Sequence, residues 1–493
     1  MSDKEIISAV KYVSRMKPEF MLSEIRDYIK EDMTTGHIHD IIGHLAFDLD
    51  LKITPTDGDY RVTRVSPAKL LVLDEEERRL QEEFLASARV PGKLEDIIEK
   101  YIVKKTTRQW DDPVVLEKIR KAIVAQKAEY WKEGENRKIS YDKGYSILGY
   151  MAYQFPVYFA QFEHILYGLA RDGLLKDRMR VLDVGTGPGT ASLAIIDFYQ
   201  RLGRGEADIY SLEKYDENIE AFTYLAMAYA ESGGASIQKP IKADLAHIVS
   251  DNVPENFDLM VFSNVLNELE TGTERKAEIV MALAKKLAPD GNILIIEPAD
   301  KVNSMEMRKL TVALMKKGLG VYSPCSFIWC SSCNPVSCWT FEEKEDIKPT
   351  GLMKKIAEEE PYRFMNTDIK YSYAVLRKDT LSREKYRVPT KARFARLSKL
   401  KIHQDKRINV VASVMSGDLG DPKNHVFKIC DGTSVKPVYA VIPFYHQEPN
   451  NEALKKAKYG DVIEIYNVLV RYNKEYDSYN LLVTRNTKIN PVA

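Results

Sequence analysis

The spacing of apolar residues changes several times along the chain, and each change marks a part. In KEIISAVKYVSRM, SEIRDYIKED and GHIHDIIGHLAFDL apolar residues recur at helical spacing. In KITPT and YRVTRV, on either side of Asp57-Gly58-Asp59, they alternate as in strands. Three helices followed by a hairpin predict a winged helix over residues 1–66. Residues 67–145 are helix-rich and densely charged (DEEERRLQEEF, VLEKIRKAIVAQKAEYWKEG), which predicts a solvated helical connector. The aromatics of YSILGYMAYQFPVYFAQFEHILYGLARDGLL recur at helical spacing, as core residues do, and Pro156 is expected to break or restart that helix.

Apolar strands and helical stretches then alternate, predicting an α/β, Rossmann-like domain over residues 146–380. The first strand runs into Asp183, followed by Gly185, Gly187, Gly189 and a helix (VLDVGTGPGTASLAI). ADIYSLEKY ends a second strand at Glu213, and IKADLAHI a third at Asp244. FDLMVFSNVLNEL opens from a fourth strand into Asn264, and GNILIIEPAD takes a fifth to Glu297 and Pro298. IKYSYAVLRK supplies a late strand. From 407 to 493 five strands follow (INVVASVM, HVFKICDG, VKPVYAVIP, DVIEIYNVLVRYN, YNLLVTRNTKI), with the short helix NEALKKAKYG before the fourth. That order suggests an OB-like barrel.

Glycines after the first strand let the backbone turn tightly and approach a ligand with no Cβ in the way. The Asp-x-Gly-x-Gly-x-Gly form, with acidic residues closing the next two strands, resembles class I S-adenosylmethionine (SAM) methyltransferases; an NAD site favours G-x-G-x-x-G. The candidate cofactor residues are Asp183, Gly185, Thr186, Gly187, Pro188, Gly189, Glu213, Asp244, Leu245 and Asn264. Glu213 suits the ribose hydroxyls, and Asp244 suits the adenine amine. Asn264, Asn267 and Glu268 are the catalytic candidates, with Glu297 as a further orienting group. Ser263-Asn264-Val265-Leu266 lacks the prolines of the element by which many base amino-methyltransferases hold an exocyclic amine. Pro324-Cys325 lies too far beyond the fifth strand to be the nucleophile of a 5-methylcytosine enzyme.

Charge and cysteines alter this picture locally. With 72 basic and 72 acidic residues, nucleic-acid contact has to come from patches. One patch is REKYRVPTKARFARLSKLKIHQDKR, where basic residues outnumber acidic ones and Tyr386 and Phe394 are interleaved. Within the expected linker 381–406, Arg387, Lys391, Arg393, Arg396, Lys399 and Lys401 are candidate RNA contacts, against the plainer reading of a charged linker. No early apolar run resembles a signal peptide and none approaches membrane-span length, so a cytoplasmic location is expected. Thiols stay reduced there, and a cysteine cluster then points to metal. Four of the five cysteines fall in the loop 321–341: Cys325, Cys330, Cys333 and Cys338. The first three reproduce the C-x4-C-x2-C run of plant-type ferredoxins (2Fe–2S), whereas zinc sites more often carry paired C-x2-C knuckles. Radical-SAM spacing is absent. Cys430, in the barrel, reads as a buried core thiol.

Together, Tyr150-Met-Ala-Tyr-Gln-Phe-Pro156, VLDVGTGPGT, SNVLNELE, IIEPAD, Pro324-Cys325 with its cysteine-rich loop, and YSYAVLRK resemble the methyltransferase-like proteins of small-ribosomal-subunit assembly. The resemblance spans about 141 to 380 and thins towards the end. It implies SAM binding, an iron–sulfur cluster (commonly 4Fe–4S) on Cys325, Cys330, Cys333 and Cys338, and action on or beside small-subunit ribosomal RNA. The chain departs from the family in ending its loop Cys338-Trp339-Thr340-Phe341, where the family has Trp-Cys-His-Phe, and in its tighter cysteine spacing. The expectation is a SAM-dependent RNA methyltransferase or methyltransferase-like assembly factor. The alternatives are a non-catalytic SAM- and cluster-binding factor, or a small-molecule methyltransferase dimerised through the winged helix.

Overall fold

The structure is a computed structural model that describes residues 3–30, 33–43, 45–130, 144–247, 253–329, 333, 335, 338–379 and 381–492. At the N-terminus, α1 (Asp3–Met16), β1 (Glu19–Met21), α2 (Thr35–Gly43), β2 (Leu51–Thr56) and β3 (Asp59–Arg64) enclose a small core around Ile6, Val10, Ile38 and Val62. The strands pair in the order β1-β3-β2. The SEIRDYIKED stretch forms a tighter 3-10 turn over Leu22–Tyr28 instead of an α-helix. Its buried residues, Leu22 and Ile25, are three apart and so share a face of a three-residue turn.

Three helices follow: α3 (Glu75–Leu85), α4 (Gly92–Thr106) and α5 (Pro113–Tyr130). Asp74 caps α3 by accepting from the Glu77 amide (2.8 Å), while the Glu77 carboxylate accepts from the Asp74 amide (2.9 Å). The expectation of a solvated connector is corrected here. Leu94, Ile98, Tyr101, Ile102, Ile119 and Ile123 are buried in the same core as the large sheet. Charge dominates the composition of these helices and masks an apolar stripe at positions 94, 97, 98, 101 and 102. The helices α6 (Ser146–Tyr153) and α7 (Phe155–Arg171) then break and restart where expected, with Pro156 in the first turn of α7.

The large sheet comprises β4 (Arg178–Val184), β5 (Glu206–Glu213), β6 (Ala235–Ile237), β7 (Ile241–Lys242), β8 (Phe257–Ser263), β9 (Leu287–Pro298), β10 (Gly320–Ser323), β11 (Glu342–Lys344) and β12 (Ile369–Arg377). Helices α8 (Thr190–Leu202), α9 (Asp216–Ala230), α10 (Thr273–Ala284), α11 (Lys301–Lys316), α12 (Gly351–Ala357) and α13 (Pro361–Phe364) lie among them in sequence. Strand order is β10-β12-β9-β8-β4-β5-β6, with β7 on β5 and β11 on β12. Strands β4, β5, β6, β8 and β9 are parallel to their neighbours, whereas β12 runs antiparallel to β9. This is a Rossmann-like methyltransferase sheet. Alternate residues feed its two faces: Val181, Ile209 and Val261 enter one core, and Leu182, Tyr210 and Phe262 the other. Strand order reverses between β4 and β8, which opens a crevice at their C-terminal ends.

The N-terminal unit docks at the opposite end of those strands. Arg180, buried at the start of β4, bonds Asp48 (3.0 Å) and Asp208 (3.3 Å), and Arg178 meets Asp50 (3.3 Å). Strands β13 (Arg407–Val414), β14 (Asn424–Cys430), β15 (Val438–Pro443), β16 (Val462–Asn473), β17 (Ser478–Leu482) and β18 (Lys488–Pro491), with α14 (Ala453–Lys456), complete the chain. The order β13-β14-β15-β17-β16 closes through β16–β13 pairing into a five-stranded barrel, with β18 added on β16. Met415 and Tyr459 of this unit enter the core of the α/β domain, where the Tyr459 and Tyr373 rings lie 6.0 Å apart. Among the described residues no helix is long and apolar enough to cross a membrane.

Beneath α7 and α8, the Arg201 guanidinium bridges buried Glu163 (2.5 Å) and Asp197, and bonds Gln81 (2.9 Å). Burial pushes Glu163 up to about 8, against the pull of Arg201. Arg201→Met leaves two buried acids facing each other and is expected to cost about 3–5 kcal/mol of stability, read from urea denaturation followed by circular dichroism.

Candidate functional site

The crevice holds a cavity of about 590 Å³. Its floor is the glycine loop between β4 and α8. Gly185, at φ +68°, sits so close to Val265 that a Cβ would lie 2.3 Å from a valine methyl. Gly189, at φ +95°, begins α8 against Phe222, where a Cβ would approach to 2.7 Å. Only glycine fits both the backbone and the space at these two positions. Asp183 is buried beneath the loop and accepts hydrogen bonds from Thr186 Oγ1 (2.7 Å) and Ser192 Oγ (2.6 Å), and burial raises its pKa. It therefore braces the loop from inside.

The acidic residues stand at the strand ends as the sequence suggested. Glu213, ending β5, reaches across to the Gly187 amide (2.8 Å) and accepts from the amides of Lys214 and Tyr215. Asp244 pairs with Lys214 (3.0 Å) and accepts from the Ala246 amide (3.0 Å). Burial opposes ionisation of Asp244, but these partners lower its pKa. Of the ten cofactor candidates, Asp183, Gly185, Thr186, Gly187, Pro188, Glu213, Asp244, Leu245 and Asn264 all line the one cavity, and Gly189 caps the helix behind them.

Asn264, Asn267 and Glu268 line the same cavity. Asn264 takes a left-handed conformation (φ +53°) just past β8. Its side-chain carbonyl and that of Asn267 are buried without a hydrogen-bond partner among the described residues. Glu297, behind them on β9, is fully buried and accepts from the Asn267 amide (3.2 Å). Burial pushes it up to about 8. Tyr150, Gln154 and Tyr158 form the opposite wall, and Tyr150 OH is 3.2 Å from Thr190 Oγ1. The sequence reading took these aromatics as core. Their spacing of four residues, with a glutamine in the middle, was the available sign of a cavity-lining face.

A second centre lies at the edge of the sheet. Strands β10 and β11, the stems of the cysteine loop, both pair with β12. Cys325, Cys333 and Cys338 line a cavity of about 30 Å³, and Cys430, from the end of β14, lines it too. Cys430 is thus more than a barrel core thiol. Nothing in sequence spacing ties it to the loop, because the barrel fold brings it there. Cys330 lies outside the described residues. Among those described, no three His, Cys, Asp or Glu side chains already stand at metal-binding spacing. Burial raises Cys325 and Cys430 and pushes Cys333 up to about 12.

The basic segment passes over this loop. The Val388 amide donates to the Ile328 carbonyl (3.0 Å), and the Arg396 guanidinium lies 4.8 Å from the centroid of the Trp329 ring. Arg387, Lys391, Arg393, Arg396, Lys399 and Lys401 are all exposed, and no ion pair is formed by any of them among the described residues. Tyr386 and Phe394 pack against Ile328, Val411 and Val462. Both rings are half-buried there.

The fold and its glycine-loop crevice define a methyltransferase-like α/β protein. Residues 144–416 match the family described as mitochondrial small ribosomal subunit Rsm22, and the chain belongs to that family. Residues 3–56 and 398–492 match the N- and C-terminal domains of DUF8157, a family of unknown function. No curated protein matches the chain. Among solved structures it is similar to the glycopeptide N-methyltransferase MtfA (17% identity, TM-score 0.21), covering 30% of this chain and 52% of that one. The chain thus spans about half the length of that relative. It is also similar to the Podospora anserina methyltransferase PaMTH1 (16%, TM-score 0.24, covering 50% and 76%). A third likeness is to a sarcosine dimethylglycine methyltransferase from Galdieria sulphuraria (14%, TM-score 0.28, covering 45% and 86%). None of these carries information on the substrate of this chain.

Gly185→Ala is expected to destabilise the protein by about 2–4 kcal/mol through strain and the Val265 clash, with Val265→Ala in the same chain recovering the steric part. Thermal melting of the two variants checks this. Glu297 binds its proton more tightly folded than unfolded, so stability should fall as pH rises from the ordinary glutamate value of 4.5 towards about 8. Glu297→Gln, which mimics the protonated acid, should flatten that dependence in denaturation measured across the same pH range.

Proposed function

We propose that this chain is a SAM-binding, methyltransferase-like factor of the small ribosomal subunit that acts on or beside its RNA. The observation that carries the reading is the single cavity uniting the glycine loop, Glu213 and Asp244 with Asn264 and Asn267. Its fit to SAM is supported by the open space over Gly187 in the loop and by the acceptors Glu213 and Asp244 on the same cavity. SAM, when bound, supplies an electrophilic methyl group. The chain's own residues then divide the work. The Gly185–Gly189 loop admits the cofactor, Glu213 binds the ribose hydroxyls, and Asp244 with Leu245 flanks the adenine. Asn264 and Asn267 hold the acceptor group by their free carbonyls, and Glu268 faces the same space. A non-catalytic factor with the same binding properties is the second reading.

We read the chain as a winged helix over 1–66, a helical connector over 67–145, the SAM domain over 146–380, a basic linker over 381–406 and an OB-like barrel over 407–493. The barrel's strand order and its parallel β15–β17 pair support the OB assignment. The cysteine cavity is read as an iron–sulfur centre, 4Fe–4S or 2Fe–2S, with zinc as the alternative. Cys325, Cys333, Cys338 and Cys430 converge there, and Cys330 is a further ligand candidate. Methyl transfer requires no electron, so the centre braces the loop beneath the basic segment. The six exposed, unpaired cations of that segment support contact with ribosomal RNA.

Isothermal titration should show SAM binding that Glu213→Ala weakens, and radiolabelled SAM with purified small subunits should separate enzyme from binding factor. Absence of SAM binding would sink the proposal. The logarithm of RNA affinity should fall with the logarithm of salt concentration. Replacing Arg393, Lys399 and Lys401 together by alanine should reduce that slope by about 0.7 per lost contact. An unchanged slope would remove the segment from the RNA interface.

A further inference from the structure

Most buried arginines of this protein face a carboxylate: Arg180 has Asp48 and Asp208, Arg201 has Glu163 and Asp197, and Arg377 has Asp379. Arg308 on α11 faces none among the described residues. It is fully buried, and its hydrogen bonds go to Thr340 Oγ1 (3.1 Å), the Tyr373 carbonyl (2.8 Å), Ser372 Oγ (3.3 Å) and Tyr459 OH (3.0 Å). All four partners are neutral. A second buried cation, Lys428 on β14, donates through its ammonium to the Trp339 carbonyl (2.5 Å) and to no other group among the described residues. Burying a cation without an anion is costly, and removing two from water side by side more so. Both sit at one place. Arg308 lines the cavity with Cys325, Cys333, Cys338 and Cys430, and Thr340, which it bonds, is 3.8 Å from Cys338 Sγ. Lys428 lies two residues before Cys430 and holds the backbone of the residue after Cys338. Among the described residues, Cys325 and Cys338 are the thiols that act on Arg308, and Cys338 and Cys430 those that act on Lys428.

We propose that Arg308 is the counter-charge of an anionic thiolate centre in this cavity, with Lys428 as its second cation, and that the pair secures the bound metal by charge. This rests on the metal-centre reading given above. A tetrathiolate centre of zinc, or an oxidised iron–sulfur cluster on four cysteines, is an overall dianion, which two buried cations neutralise. Arg308 is a positioning residue with a particular reach. Its neutral bonds run to the cysteine loop, the closing strand β12 and the barrel, so the charge it supplies is fixed in place by three separate parts of the chain.

The test uses the full chain purified without oxygen, with bound iron, zinc and sulfide measured first. Metal release to excess EDTA is then timed, and the midpoint potential is recorded where iron is present. Arg308→Met and Lys428→Met should release metal at least roughly tenfold faster, and should lower the potential, because a lost positive charge disfavours adding an electron. Arg308→Lys and Lys428→Arg, which keep the charge, should remain near wild type, as should Lys309→Met on the surface of the same helix. If Arg308→Met fails to fold, Lys428→Met carries the test. A folded Lys428→Met that holds its metal as long as wild type, at the same potential, overturns the proposal, as does failure of the charge-keeping variants to rescue. A wild-type protein without metal overturns the centre itself.

Discussion

Strand β12 is the constraint on which the rest of the arrangement depends. Along one edge it pairs antiparallel with β9 over seven residues, which fixes it within the main sheet. Along its other edge it pairs with β10 near Arg377 and with β11 near Tyr371. The cysteine loop joins these two short strands, so both of its stems are held on one edge of one strand. The described end of the loop reaches the end of β9, where the Trp339 indole donates to the Ala299 carbonyl (2.8 Å). The barrel meets the loop, contributing Tyr459 and Met415 to the α/β core and Cys430 to the thiol cavity.

The ends of the parallel strands are thereby given different tasks. Arg178 and Arg180, near the start of β4, anchor the N-terminal unit by ion pairs, and Phe47 lies against both guanidinium groups. Asp183 and Glu213, towards the other ends of β4 and β5, shape the glycine-loop cavity. The N-terminal unit thus sits on the floor of the domain and leaves the crevice open. The basic segment, held by Ile328 and Trp329, is tied to the cysteine loop.

The crevice was legible in the sequence because its residues are local. Strand, glycine loop and helix lie within one short stretch, and each following acid closes its own strand. Two things were hidden. The charged surface of α4 and α5 concealed their apolar stripe, since composition outweighs periodicity when one face is wholly solvated. Cys430 was hidden for a different reason. It occupies an ordinary alternating strand, and only closure of the barrel turns it towards the loop. Tyr386 and Phe394 show a further case: aromatics among basic residues suggested stacking, and the fold half-buries both rings against Ile328, Val411 and Val462.

The position of Cys430 also orders events in time. During synthesis the loop cysteines emerge well before it, with β12, the basic segment and two barrel strands still to be made. Strand β14 is held by its neighbours β13 and β15, so it takes its place with those strands of the barrel. The four-thiol cavity therefore needs a residue made after every residue that lines the crevice. Its completion registers that both the α/β domain and the barrel have folded and docked.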